Sequence, residues 1–338
     1  MRLPGMVLLA TAPALLCLLV ACRSTADSQE ARPEVPTMET MELPELINKC
    51  WAEHDSDPEG MAALLRDNTP LVKNAMDAVQ YSGVFLHLVG SELGDWSGAA
   101  EHLENIVADL EQAPELALVL VQVAVANKMA GAEEAAGSAL ERAMELAPEP
   151  KQAIPARVQL LVSEAKANAG AWPAALELHA QALATVRGGV ATPGLTRTLA
   201  VCSNNMASAL LEAEDRDCAQ TDAMVQLAEA AREAWLEAGG WMEDERADYL
   251  LALVLAEAGN PTAGLMHAER GLATIAAHEA EGGEPVDQAF LNLARARALR
   301  ALGRPADQAA ALETAQALAA EFSDGLREWF DTELAKSR

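Results

Sequence analysis

The stretch Gly131-Ala132-Glu133-Glu134-Ala135-Ala136, running on through Leu140 to Ala143-Met144-Glu145-Leu146-Ala147-Pro148, decides how this chain folds. It opens on a glycine, the residue that ends a helix by turning left-handed, and it closes on a proline, which stops the next helix. Between them apolar residues recur at three- and four-residue spacing, the period of one helix face. The same grammar returns at Gly170-Ala171-Trp172-Pro173-Ala174-Ala175-Leu176, continuing to His179, Ala182 and Leu183. Looser copies begin at Gly94-Asp95-Trp96-Ser97-Gly98-Ala99, Glu214-Asp215-Arg216-Asp217, Gly259-Asn260-Pro261 and Gly303-Arg304-Pro305. Marks 37, 39 and 44 residues apart (94 to 131, 131 to 170, 259 to 303) are the period of stacked helix hairpins, none of which buries its apolar face alone.

The unit resembles the tetratricopeptide repeat (TPR). In that family a glycine ends helix A, an aromatic follows two residues on, small residues lie where helices cross, and a proline closes helix B. Trp96 and Trp172 stand at the aromatic position, Ala136 with Ala143 and Ala175 with Ala182 at the small ones, and Pro148 at the closing one. The departures are a period longer than the family's, Glu214-Asp215 where glycine is due, and Gly264 and Gly271 in place of alanines. The resemblance implies an all-α, right-handed superhelical solenoid of antiparallel helix hairpins, about six over residues 75–320. N-terminal helices are expected over 43–74. A capping helix is expected over 321–338, where Leu326, Trp329, Phe330 and Leu334 share one face.

The N-terminus carries a second signal. Arg2 precedes an uncharged stretch from Leu3 to Ala21, and Leu19-Val20-Ala21-Cys22 resembles a bacterial lipobox. That resemblance implies a signal peptide over 1–21, cleavage before Cys22 and lipidation of its sulfur. The protein would then be held on the cell envelope, on the periplasmic face of the outer membrane in a Gram-negative cell. Several acyl chains make such an anchor stable, since each buried methylene contributes about 0.8 kcal/mol. Residues 22–42 have linker composition, with Ser24, Thr25, Ser28, Pro33, Pro36 and Thr37, and a flexible tether of that length spans about 25 Å.

The composition is that of a helical protein: 51% hydrophobic with only 4% aromatic residues, and rich in alanine and leucine. A net charge of −27, from 24 Lys+Arg against 51 Asp+Glu, repels phosphate backbones and argues against a nucleic-acid partner. The acidity suits either a basic ligand or simply a well-solvated surface. Cys50, Cys202 and Cys218 form an odd set without a CxxC pair and read as buried free thiols.

No constellation of residues declares an activity. His278-Glu279 has Gly282 where a zinc-protease helix needs its second histidine, and Asp55, Asp57, Glu59 and Gly60 open a calcium loop whose closing acid is Arg66. Asp55 or Asp57 instead suits a helix cap ahead of Pro58. The six histidines lack ligand spacing, and His179 and His267 read as packing residues. The reading is therefore non-enzymatic, with no metal and no cofactor.

One set survives. Counting back from each turn places Arg157, Glu164, Asn168, Asn204, Asn205, Arg246 and Tyr249 on the inner, helix-A face, with Arg297 farther along beside Arg295 and Arg300. Asn and Arg on successive A helices resemble in part the carboxylate-gripping groove of some TPR proteins, and the planar fork of arginine suits carboxylates. The same arginines could equally pair with neighbouring acids. The expected function is protein–protein interaction through that groove. The alternatives are an assembly factor of outer-membrane or pilus machinery, and an enzyme or small-molecule carrier using the solenoid hollow.

Overall fold

In a computed structural model of the chain, residues 41–281 and 284–338 are described. The lipobox with Cys22 and nearly all of the tether lie outside them. Among the described residues there are 15 α-helices and no strand. None of these helices is long and apolar enough to cross a membrane.

The chain forms two compact units that divide after Thr192. The first holds α1 (Leu43–Glu53), α2 (Pro58–Asp67), α3 (Ala75–Phe85), α4 (Trp96–Asp109), α5 (Leu116–Met129), α6 (Glu133–Leu146), α7 (Ala153–Asn168) and α8 (Trp172–Arg187). The second holds α9 (Pro193–Glu212), α10 (Cys218–Ala238), α11 (Trp241–Glu257), α12 (Pro261–Ala277), α13 (Pro285–Ala301), α14 (Pro305–Leu318) and α15 (Asp324–Ser337).

Successive helices pack as pairs, α5 on α6 and α7 on α8 in the first unit, and α9 on α10, α11 on α12 and α13 on α14 in the second. Alternate helices also touch: α3 with α5 and α5 with α7, then α9 with α11, α11 with α13 and α13 with α15. The leading helix of each pair is thus surrounded, and its sequence says so. Nine residues of α5 are buried, including Leu116, Val119, Leu120 and Val123, an all-round apolarity that only an enclosed helix tolerates. The following helix needs only a narrow buried stripe, Ala136, Ala139 and Ala143 in α6 and Ala175 and Ala182 with the ring of His179 in α8.

The turn inside the pair is where the quoted stretch acts. Gly131 has φ 75°, a left-handed value that costs an L side chain about 1–2 kcal/mol, and it lets the N–H of Ala132 reach the carbonyl of Asn127 (2.8 Å) while its own N–H reaches Lys128 (3.2 Å). The same two bonds recur around Gly170, Gly259 and Gly303. Where the sequence has no glycine, between α9 and α10, a side chain does the work. Arg216 Nη1 donates to the carbonyls of Leu210 (2.6 Å), Leu211 (2.7 Å) and Ala213 (2.5 Å), and its Nη2 bonds Glu257. At the first turn the helix widens into a π segment over Leu86–Glu92, and Gly90 within it leaves room for the ring of Trp96, 2.6 Å from where a Cβ would stand.

Gly264 and Gly271 mark close helix approach. A Cβ on Gly264 would lie 2.7 Å from the carbonyl oxygen of Ala252, and one on Gly271 2.8 Å from Leu291. Asp57 caps α2 through the N–H of Gly60, as its place before Pro58 suggests. The thiols correct the reading in part: Cys50 and Cys202 are buried and outside any disulfide among the described residues, whereas Cys218, the first residue of α10, is exposed.

Candidate functional site

Of the groove positions expected from the sequence, Arg246 and Tyr249 lie on α11. This helix carries Glu243, Asp244, Glu245 and Asp248, so acids occupy more than one of its faces, and packing on several sides then buries some of them. Asp248 has no exposure and faces α10 and α12. It accepts from Arg232 Nε (2.8 Å), from Arg270 Nε (2.6 Å) and Nη2, and lies 2.9 Å from His267 Nδ1. Burial alone would raise its pKa, but the bonds from Arg270, His267 and Arg232 outweigh it and hold the carboxyl at about 2. His267 is therefore more than the packing residue expected, since its ring nitrogen joins this network.

Glu245, also without exposure, faces the other way, toward α13. Its carboxylate oxygens accept no hydrogen bond, Arg246 Nε stands 3.6 Å away, and in its protonated form Glu245 hydrogen-bonds the Asp287 carboxylate. Arg246 is committed elsewhere, to Asp287 Oδ2 through Nε (3.2 Å) and Nη2 (2.9 Å). Burial first, and then the charge of Asp287, push the Glu245 carboxyl far above the usual carboxylate range, so it stays protonated at neutral pH.

One turn on, Tyr249 packs edge-on against Phe290, with ring centroids 6.4 Å apart. Burial, and next the charge of Glu333, raise its hydroxyl well above the ordinary tyrosine range, with Asp287 and Glu212 adding and Arg297 opposing. Arg297 itself is held by α15. Its Nε donates to Ser337 Oγ (3.0 Å) and its Nη2 to the carbonyl of Glu333 (3.3 Å) and to Glu333 Oε2.

The structure therefore brings Arg246, Tyr249 and Arg297 into one seam of the second unit. Asn204 and Asn205, half-buried, lie on α9, which packs on α11. Arg157 and Asn168 belong to the first unit. Asn168 is exposed at the end of α7, and Arg157 is 5% exposed, with Nη2 on Glu149 Oε1 (3.1 Å) and with Nε and Nη1 unpartnered. Each of the three arginines expected to grip a foreign carboxylate already holds one of its own unit, the alternative that the acidic composition raised. Sequence reasoning missed Glu245, Asp248, Asp287 and Glu333. Acids at 243, 244, 245 and 248 of one helix were the available signal, because an amphipathic helix with one wet face cannot keep all of them in water.

In the first unit two histidines meet that the sequence left scattered. The rings of His54 and His87 are 5.0 Å apart with Trp51 against both, and burial together with His54 lowers the His87 pKa to about 4. His102 stacks on Phe85 (4.2 Å) and bonds the Tyr81 hydroxyl (3.0 Å). Among the described residues no group of three or more His, Cys, Asp or Glu is placed to hold a metal ion. A cleft of about 460 Å³ opens between α4, α5 and α6, bordered by Glu101, Glu104, Asn127 and Arg142, and it opens to solvent.

The sequence matches no protein-family model, and no curated protein matches it.

Proposed function

We propose that this chain is a membrane-anchored envelope lipoprotein that works as a non-enzymatic scaffold, each unit being a right-handed stack of TPR-like hairpins whose inner face binds a segment of another protein. The observation that carries the reading is the contact between alternate helices. The contacts of α9 with α11 and of α11 with α13 support a continuous inner face, to which we assign Asn204, Arg246, Tyr249 and Arg297. The recurring glycine turn at 131, 170, 259 and 303 supports the TPR kinship. The lipobox ending in Cys22 supports the anchor.

The chemistry favours an extended or helical protein segment. Asparagine amides on successive helices can each take a peptide group, and an arginine fork can take a carboxylate in exchange for the one it already holds. The test has two arms. Cys22→Ser moves the protein from the membrane to the soluble fraction; retention on the membrane ends the lipoprotein reading. A photo-crosslinking residue at Asn204 or Asn168 yields a discrete protein adduct in cells, and the absence of an adduct from both positions counts against the scaffold.

A further inference from the structure

The last helix is an unusual cap. A helix that merely seals a stack buries apolar residues and keeps its charges in water, and the first half of α15 does so. Trp329 stacks on Phe290 (3.7 Å), while Phe330 is fully buried and meets Phe290 and Phe322 edge-on. The second half buries polar groups beside Leu334. Glu333 is 8% exposed and Ser337 not at all, and both are gripped by Arg297 of α13. Gln308 of α14 holds the carbonyls of Ser337 (3.0 Å) and Arg338 (3.4 Å). The apolar side of α15 reaches the residues assigned to the inner face as well: Tyr249 of α11 packs against the same cluster as Phe290, Phe330 and Leu334.

Resting on the scaffold reading above, we propose that α15 is an internal occupant of the partner-binding face of the second unit, a strap displaced by an amphipathic helix of the partner that brings its own carboxylate to Arg297. The chemistry of the occupant is written in the strap. It carries an aromatic at Phe330, a carboxylate three residues on at Glu333, an apolar residue at Leu334 and a small hydroxyl at Ser337, all on one helical face. An arginine as enclosed as Arg297 cannot be left without a counterion, because removing one member of a buried pair costs far more than exchanging it. Exchange of one carboxylate for another is the less costly transition. A polar seam is suited to it, since interfaces that open and close within a chain are more polar than permanent ones.

The test uses the full-length protein and a fluorescent peptide spanning residues 322–338. Substituting Phe330→Ala with Leu334→Ala in the protein loosens the strap and leaves Glu333 paired with Arg297 until the peptide replaces it. Removing the self-occupancy raises the apparent peptide affinity about tenfold or more over the unsubstituted protein. Adding Arg297→Ala to the same protein abolishes that gain, and a peptide carrying Glu333→Gln binds correspondingly worse. Equal uptake by the unsubstituted and loosened proteins overturns the proposal. Hydrogen exchange on the unsubstituted protein decides independently of any variant: α15 amides exchanging well ahead of those of α13 agree with a strap, and equal protection refutes it. Failure of the parent reading looks different, because the crosslinked partner is then absent from both proteins, whereas failure of the strap alone leaves partner capture equal in both.

Discussion

Residues 41–192 and 193–338 repeat one hairpin plan, but they fill it differently. The first unit surrounds α5 with Val, Leu, Ile and Phe in a single continuous cluster that runs from Leu43 to Val162. The second places four carboxyls, Glu245, Asp248, Asp287 and Glu333, at positions nearly or wholly closed to solvent, and the described residues of the first bury none. The contrast teaches that the fold needs only the turn and the small crossing residues. What the leading helices carry inside is free to vary, and the second unit uses that freedom for charge. Intact, a buried ion pair adds little to stability; stripped of one member, it becomes the weakest point of the structure.

The contrast predicts where the second unit breaks. Asp248→Asn leaves Arg232 and Arg270 without their shared anion and should destabilise residues 193–338 by about 3–5 kcal/mol, seen as early exchange of α10 to α12 amides in urea. A loss below about 1 kcal/mol would show that water solvates these arginines in place of the carboxylate. Protection in the first unit should not change.

Glu245 gives a smaller effect with a distinctive pH dependence. Its native pKa is raised above the ordinary 4.5, so the folded state holds a proton that the unfolded state releases. Its contribution is complete below about pH 4.5 and drains away as pH climbs toward the raised native value. Asp248 behaves oppositely, since its depressed pKa gives stability that is present above 3.8 and lost as pH falls through about 2. Glu245→Gln should therefore flatten the decline of melting temperature between pH 5 and pH 9, and parallel curves for the two proteins would remove Glu245 as its source.

How much of this was legible follows from the range of the forces. The turns at Gly131, Gly170, Gly259 and Gly303 are written within six residues of backbone, and Ala136, Ala143, Ala175 and Ala182 announce the crossings, so helices and pairing could be read directly. The charged seam could not. Asp248 finds its arginines 16 and 22 residues away, Arg246 its acid 41 away and Arg297 its acid 36 away, each on another helix. Sequence singled out Arg246 and Arg297 and left their partners open, because which acid lies opposite depends on helix rotation by a fraction of a turn. Arg216 shows the same limit on a smaller scale. A missing glycine was visible, but not the guanidinium that replaces its hydrogen bonds from three residues beyond Ala213.

The smallest effects test what both units share. Gly131→Ala puts a methyl group on a left-handed residue with open space around it, so no clash contributes and the cost is conformational alone. The strain of about 1–2 kcal/mol is partly offset by the stiffer unfolded chain, leaving a net loss near 1 kcal/mol. Gly137, six residues on in α6, also has nothing within 4 Å of where a Cβ would stand, but its backbone is ordinary helix. There the same substitution should stabilise by about 0.5–1 kcal/mol, since glycine inside a helix costs about that much relative to alanine. Opposite signs from one chemical change in one hairpin, read by denaturant melts, would isolate the left-handed turn as the determinant of the repeat. Equal signs would mean that packing between hairpins, and not the turn, sets the fold, and the likeness between the two units would then rest on their alanine crossings alone.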